Sequence, residues 1–357
     1  MSFAVRVDSP SHGSSTTQSA NFSLQVHFSM HASDIGVIVI GRNEGERLLK
    51  CLSSLRSQAE RIVYVDSGST DGSPAAAEQA GLVVVRLDSA LPFTAARARN
   101  EGYLAAKHQW PKLRYVQFLD GDCELVPGWL DWAYAFMETH GEVAVACGRR
   151  RERYPNHSIY NKLCDLEWAT PIGIALTCGG DSFVRTSAFD VSGGFQANLI
   201  AGEEPEMCLR LRERGWMIWR LDAEMTVHDA AMNHFAQWWT RSVRCGYGYA
   251  DVTWLHRHST FRLWRRELRS AIIWGGSLPF IVAAGCLINP LFFGLALIYP
   301  IQICRMAFKR EPTDRLSWIS SYFVLLGQFA AILGIVQFHW SRLRHRRARL
   351  TEYKSIG

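Results

Sequence analysis

Ile35-Gly-Val-Ile-Val-Ile-Gly-Arg-Asn-Glu-Gly45 decides the fold of this 357-residue chain. Its first six residues are an unbroken apolar run, the pattern of a strand buried on both faces. Outward from it, two periods alternate. Leu48, Leu49, Leu52 and Leu55 recur at helical spacing, and 61–65 is strand-like again. Ser73-Pro74 supplies an N-cap and a first-turn proline for an alanine-rich helix. A third strand is expected over 82–87, a helix over 94–107, a fourth strand over 115–119, a helix over 129–139 and a fifth strand over 143–147. Strand, helix and strand repeated in this way predict right-handed βαβ units and a mainly parallel α/β sheet. Such sheets bind ligands at the carboxyl ends of their strands. Residues 151–270 read as a less regular mixture of helix and short strand.

Polar clusters sit where that rule wants them. Strand one runs into Gly41-Arg42-Asn43-Glu44-Gly45, strand two into Asp66-Ser-Gly-Ser-Thr-Asp71-Gly72, and the fourth strand into Asp120-Gly121-Asp122-Cys123-Glu124. Each alone is ordinary turn chemistry; three at strand ends converge on one crevice. Asp120 and Asp122 offer hard oxygen ligands, and Mg²⁺ or Mn²⁺ is commonly held by one or two carboxylates plus substrate phosphates. Arg99, on the helix from Thr94, is a bidentate phosphate clamp or a surface charge. Arg149-Arg-Arg-Glu-Arg153 reads as a solvated charged face, or as a contact for the phosphate of a lipid-linked acceptor.

Composition narrows the class. Apolar residues make up 48% and charged residues 20%, which excludes a disordered or collagenous chain. Nine cysteines without a C-x-x-C pair argue against a zinc ribbon and against a secreted disulfide framework. The net charge is +6, and five arginines fall within 342–349 beside an apolar tract. That placement points to anionic membrane lipid and not to nucleic acid. Residues 1–33 lack the apolar run of a signal peptide and are expected to form a disordered tail. Residues 271–308 are nearly uncharged, with Asn289-Pro290 at their middle, and 317–338 form a second uncharged tract. A span needs about 20 apolar residues, so 271–304 is expected to make a hairpin. That hairpin brings the arginines of 262–269 and the basic group 305–315 to one side, and a single pass at 317–338 would then export the basic tail, against the positive-inside tendency. The expected division is a tail at 1–33, a catalytic unit at 34–255, membrane-associated helices at 256–340 and a basic tail at 341–357.

Val37-Ile-Val-Ile-Gly-Arg-Asn-Glu, Val65-Asp-Ser-Gly-Ser-Thr-Asp-Gly, Ala96-Arg-Ala-Arg-Asn and Phe118-Leu-Asp-Gly-Asp resemble, in order, the motifs of family 2 glycosyltransferases. Downstream, Gly193-Gly-Phe, Gly202-Glu-Glu-Pro-Glu206, Arg210-Leu and Gly215-Trp resemble that family's Gly-Gly-Phe, Glu-Asp, Arg-Leu and Gly-Trp block. Similarity covers roughly 35–230. The resemblance implies a GT-A nucleotide-diphospho-sugar transferase fold with a Rossmann-like sheet, followed here by membrane helices. It implies that Gly41, Arg42, Glu44, Asp66, Arg99 and Asp120 contact a nucleotide-sugar donor. Asp122 would bind Mg²⁺ or Mn²⁺, with the late His228 as a second ligand, and Glu204 would be the catalytic base. Gly180, Asp181 and Glu203 are expected on the acceptor side. Two departures stand out. Glu203-Glu204 replaces the usual Glu-Asp, and Gln237-Trp-Trp-Thr-Arg241 has the wrong spacing for the Gln-x-x-Arg-Trp of processive synthases.

The resulting expectation is an inverting, non-processive glycosyltransferase. Its acceptor would be a lipid-linked or other glycan hydroxyl at the cytoplasmic face of the inner membrane. A polyprenyl-phosphate sugar transferase and a non-catalytic membrane subunit with the same fold are the alternatives.

Overall fold

Strand and helix alternate from residue 35 as the two periods require, and the computed structural model describes residues 32–344. The tails expected at 1–33 and 341–357 lie, but for a few residues at their edges, outside the described residues. β1 (Ile35–Gly41), β2 (Ile62–Asp66), β3 (Val83–Arg86) and β4 (Tyr115–Asp120) are linked by α1 (Glu46–Leu55), α2 (Ser73–Gln79) and α3 (Ala95–Gln109). All four strands pair in parallel, in the order β3-β2-β1-β4. The sheet continues with β8 (Ser182–Arg185), β6 (Val143–Glu152), β9 (Met217–His228) and β5 (Cys123–Leu125), while β7 (Gly173–Ala175) pairs with β9. β8 runs antiparallel to both β4 and β6, so this half of the sheet is mixed.

Two core clusters cover the two faces. Val37, Val39 and Tyr64 belong to one; Ile38, Ile40 and Val65 belong to the other. α3 lies close on the second face because Gly102 has no side chain: a Cβ there would sit 2.5 Å from Ile38 and 2.8 Å from Val65. That close seat fixes the level of Arg99 one turn earlier.

The fifth strand runs on past Cys147. Register shifts around Arg149 bulge β6 against β9, after which Arg150, Arg151 and Glu152 pair with Thr226, Val227 and His228. The segment expected as a solvated face is therefore carried into the sheet, where Glu152 is buried. The Gln237–Arg241 stretch opens α8 (Phe235–Leu255) and is structural. Gln237 accepts the backbone N–H groups of Asn233 and His234, and Arg241 forks onto Glu167 at 2.9 and 3.0 Å.

Among the described residues three helices are long and apolar enough to cross a membrane: Arg265–Ile288, Pro290–Arg310 and Arg315–Leu343. The third packs along α8 at contact distance of the backbones. A Cβ on Gly246 would lie 2.1 Å from the Ala331 carbonyl, and one on Gly334 2.0 Å from that of Val243. Small residues allow such close approach where lipid supplies no drive to associate.

The chain path differs from the expected hairpin. The first helix starts beside His339, near the end of the third, and its Gly275 lies against Gln328. The second helix meets the middle of the first where the Tyr299 hydroxyl donates to the Trp274 carbonyl at 2.7 Å. Its far end lies near the start of the third helix, where Arg310 donates to Ser320 at 2.9 Å. The arginines around 265 thus share one end of the bundle with Arg342, and the 305–315 group lies at the other. The reason is local. Arg265–Ile288 runs as one helix to Asn289, and Phe292 folds back onto Gly285, so the bend at Asn289-Pro290 makes a short detour and not a full return.

Candidate active site

Three strand ends form one rim. Gly41 is in register with Asp66 on β2, and Ile40 with Asp120 on β4, with neighbouring strands about 4.8 Å apart. Asp66 is buried and organises the loop after β2: its Oδ2 accepts the N–H groups of Gly68 and Ser69, each at 3.0 Å, and its Oδ1 accepts from the Tyr64 hydroxyl at 3.3 Å. Asn43 ties the loop after β1 to this one, accepting from the Thr70 N–H at 2.7 Å. Glu44 pairs with Arg47 at 2.9 Å, and the exposed Arg42 lies over the Phe93 ring.

Behind the rim, Arg99 joins β4 to α7 (Glu203–Glu213). Its guanidinium reaches Asp120 at 2.7 Å, Glu203 at 2.9 Å and Glu204 at 3.6 Å, and its side chain is 2% exposed. It is committed to these carboxylates and faces inward, which makes it the post on which they are mounted. Gly180 closes the same cluster. A Cβ there would sit 2.6 Å from the Asp120 carboxylate, 3.0 Å from Arg99 and 3.1 Å from Arg150. Asp181, fully buried, accepts from the Asp120 N–H at 3.0 Å and the Thr226 hydroxyl at 2.8 Å, and pairs with Arg150 at 2.9 Å.

The charges do not titrate alike. Burial raises the Asp120 carboxyl, but Arg99 and Arg150 outweigh it and hold the group below its ordinary range. Glu204 is pushed up to about 7, first by burial and then by the neighbouring charge of Glu203, with Arg99 opposing. A carboxylate that takes up a proton near neutrality, partly open at 16% exposure, is matched to general-base work.

Asp122 and His228 form an adjoining pair. Both are buried, and the Asp122 Oδ2 lies 3.2 Å from His228 Nε2. Two neighbouring ligands of an octahedral ion at about 2.1 Å from it are separated by about 3 Å, so this spacing fits a shared Mg²⁺ or Mn²⁺. His228 Nδ1 is buried without a hydrogen bond, 3.9 Å from the Glu152 carboxylate. A carboxylate behind a ligating histidine is the usual outer support of a metal site. Asp122, Cys123 and His228 cluster closely enough for one ion, but burial and nearby carboxylates raise the Cys123 thiol well above its ordinary value. The hard oxygen and the imidazole are thus the fitting donors.

The sequence-predicted residues gather at these strand ends in two sets, with Arg99 and Asp181 buried behind them and not open to an acceptor or a donor. Arg99, Asp120, Gly180, Asp181, Glu203 and Glu204 form the inner cluster, next to Asp122 and His228; Gly41, Arg42, Glu44 and Asp66 lie along the rim. Sequence reasoning placed Arg150 and Glu152 only in a run read as a solvated face or a phosphate contact, and missed Trp168. Arg150 stacks on Trp168, whose ring meets that of His228 edge-on at 4.8 Å. The available signal was the alternation of Arg150 and Glu152 in step with β6.

Residues 36–185 match the profile of Glycosyl transferase family 2. The chain carries a family 2 glycosyltransferase domain. Over 249 residues this glycosyltransferase is 25% identical to Glycosyltransferase AglE of Haloferax volcanii, covering 66% of this chain and 79% of that protein. A 94-residue stretch is 35% identical to a TPR repeat-containing protein of Synechococcus elongatus, covering 26% of this chain and 22% of that protein, so about a fifth of that relative's length is spanned. Among solved structures, mannosyltransferase PcManGT from Pyrobaculum calidifontis, in complex with GDP-Man and Mn²⁺, superposes with a TM-score of 0.61 at 17% identity, over 87% of this chain and 88% of that one. The shared fold is GT-A. The profile ends before α7 and β9, so Glu204 and His228 are reached through the geometry of the glycosyltransferase and not through the matched segment.

Proposed function

We propose that this glycosyltransferase moves a sugar, with inversion, from a nucleotide-diphosphate donor to a hydroxyl of a lipid-linked or glycan acceptor at the cytoplasmic face of the membrane. The observation that carries the reading is the geometry: one buried guanidinium, Arg99, holds Asp120 of the Asp-Gly-Asp strand end at 2.7 Å and Glu204 at 3.6 Å. The loops of Asp66 and Asn43 seat the nucleoside, with Arg42 over Phe93 at its edge. Asp122 and His228 would hold a divalent cation, whose charge would offset that of the donor diphosphate and favour its departure. Glu204 takes the acceptor proton as the hydroxyl attacks the anomeric carbon opposite the leaving group. Glu203 and Arg99 fix the position and charge of Glu204 during that transfer.

The purified full chain should release nucleoside diphosphate from one member of a nucleotide-sugar panel with Mn²⁺ or Mg²⁺. The same donor should raise its melting temperature, because a ligand of the native state stabilises it. Asp122→Ala or a chelator should abolish release. Undiminished release in Asp122→Ala would overturn the metal assignment, and transfer that survives Glu204→Gln would favour a phosphate acceptor over a hydroxyl.

A further inference from the structure

Away from the crevice, where the first and third apolar helices meet the end of α8, lies a cavity of about 190 Å³. Thr253, Trp254, Arg257, Arg265, Leu268 and His339 line it, and no acidic side chain does. Arg257 and Arg342 both lie over the exposed Trp254 ring, at 5.1 and 3.7 Å from its centroid, and Arg265 donates to the Arg257 carbonyl. Three guanidiniums, an indole and an aliphatic wall are thus gathered in one place. That place is the beginning of one candidate span, at Arg265, and the end of another, at Leu343.

A cationic, half-apolar cavity at this level fits one chemistry: a phosphate attached to a hydrocarbon chain. Guanidinium binds phosphate oxygens through paired N–H donors, and juxtamembrane arginines and tryptophan favour the head-group layer. The leucine wall and the apolar helices below would take the chain.

The same segment touches the catalytic helix. His256 Nε2 is 2.8 Å from Glu206, Arg212 lies over Phe261, and Trp264 covers the place a side chain on Gly202 would fill. A phosphate held by Arg257 and Arg265 therefore sits at the foot of the loop that braces α7, two residues before Glu206 of which is Glu204.

We infer that this cavity is a binding site for the phosphate of a membrane lipid, placed to hold such a lipid beside the catalytic helix. The inference rests on the membrane-bound reading above. Phosphorylated isoprenoid and ordinary anionic phospholipid share this chemistry, and separate arms of the test distinguish them.

The full chain, purified in detergent, is incubated with phosphatidic acid, a polyprenyl phosphate, phosphatidylcholine or inorganic phosphate, and retained molecules are counted by native mass spectrometry. Phosphatidic acid or polyprenyl phosphate should be retained at least tenfold better than phosphatidylcholine, and preference between the first two names the source. Each of Arg257→Gln and Arg265→Gln should weaken retention about fivefold, from about 1 kcal/mol per juxtamembrane arginine. Equal retention of phosphatidylcholine, retention unchanged in the double variant, or inorganic phosphate held as well as the lipids would overturn the inference. Arg257 is exposed, so its variant keeps the fold. Donor hydrolysis should stay at the parent rate in both variants; its loss in the parent protein would instead count against the catalytic reading.

Discussion

Replacing Glu204 by glutamine should stabilise the protein above neutral pH while stopping transfer. In the folded state the Glu204 carboxyl is raised from 4.5 to about 7 by burial and by Glu203. A carboxyl whose folded value is raised makes the native state bind the extra proton, so stability is lost as pH rises from about 4.5 to about 7 and stays lost above that. At 1.36 kcal/mol per unit the loss is about 3 kcal/mol. Glutamine keeps the shape and never ionises. The variant and its parent should melt together near pH 4.5, separate between there and pH 7, and differ by about 5–10 °C at pH 8. Differential scanning fluorimetry of the detergent-solubilised chain across that range reads the effect directly. Transfer by the parent should rise with pH through about 7, because the base acts when deprotonated, and the variant should be slower by about 10²–10⁴-fold. Melting curves that coincide at every pH, or a variant less stable at pH 8, would refute the claim that Glu204 holds an uncomfortable charge.

Two further perturbations probe the neighbouring groups. Gly180→Ala puts a methyl group 2.6 Å from the Asp120 carboxylate and should cost about 1–3 kcal/mol in chemical denaturation, with loss of transfer. Glu152→Gln leaves Asp122 and His228 in place but removes the charge behind the imidazole, so the Kd for Mn²⁺, read by electron paramagnetic resonance of the free ion, should rise about 10–100-fold.

Much of this was legible in the chain. The run 35–40 announces a strand covered on both faces, and the period changes that follow place β2 to β4 with α1 to α3 almost to the residue, because each segment is long and strongly patterned. The strand-end carboxylates were legible for the same reason, since a parallel sheet fixes where its loops open. What escaped was non-local. β8 inserts antiparallel between β4 and β6, a pairing between segments far apart in sequence that no local period encodes. Arg150 and Glu152 look like surface charge until β9 lies beside them and Thr226 and His228 become their neighbours. Arg99 looks like a phosphate clamp until α7 delivers Glu203 and Glu204 to it. The path of the apolar helices was misjudged at Asn289-Pro290, where a turn signal is real but its depth depends on Phe292 meeting Gly285.

The glycine seam between α8 and the third apolar helix has a consequence for what can be glycosylated. Backbones touching at Gly246 and Gly334 leave little swivel between α8 and the third apolar helix, so a membrane that held that helix would hold Glu204 at a fixed height. On the proposed membrane-face reading such a mount would work as a ruler, selecting acceptors by how far their reactive hydroxyl projects from the bilayer, and lengthening α8 by whole turns should then shift that selection toward taller ones.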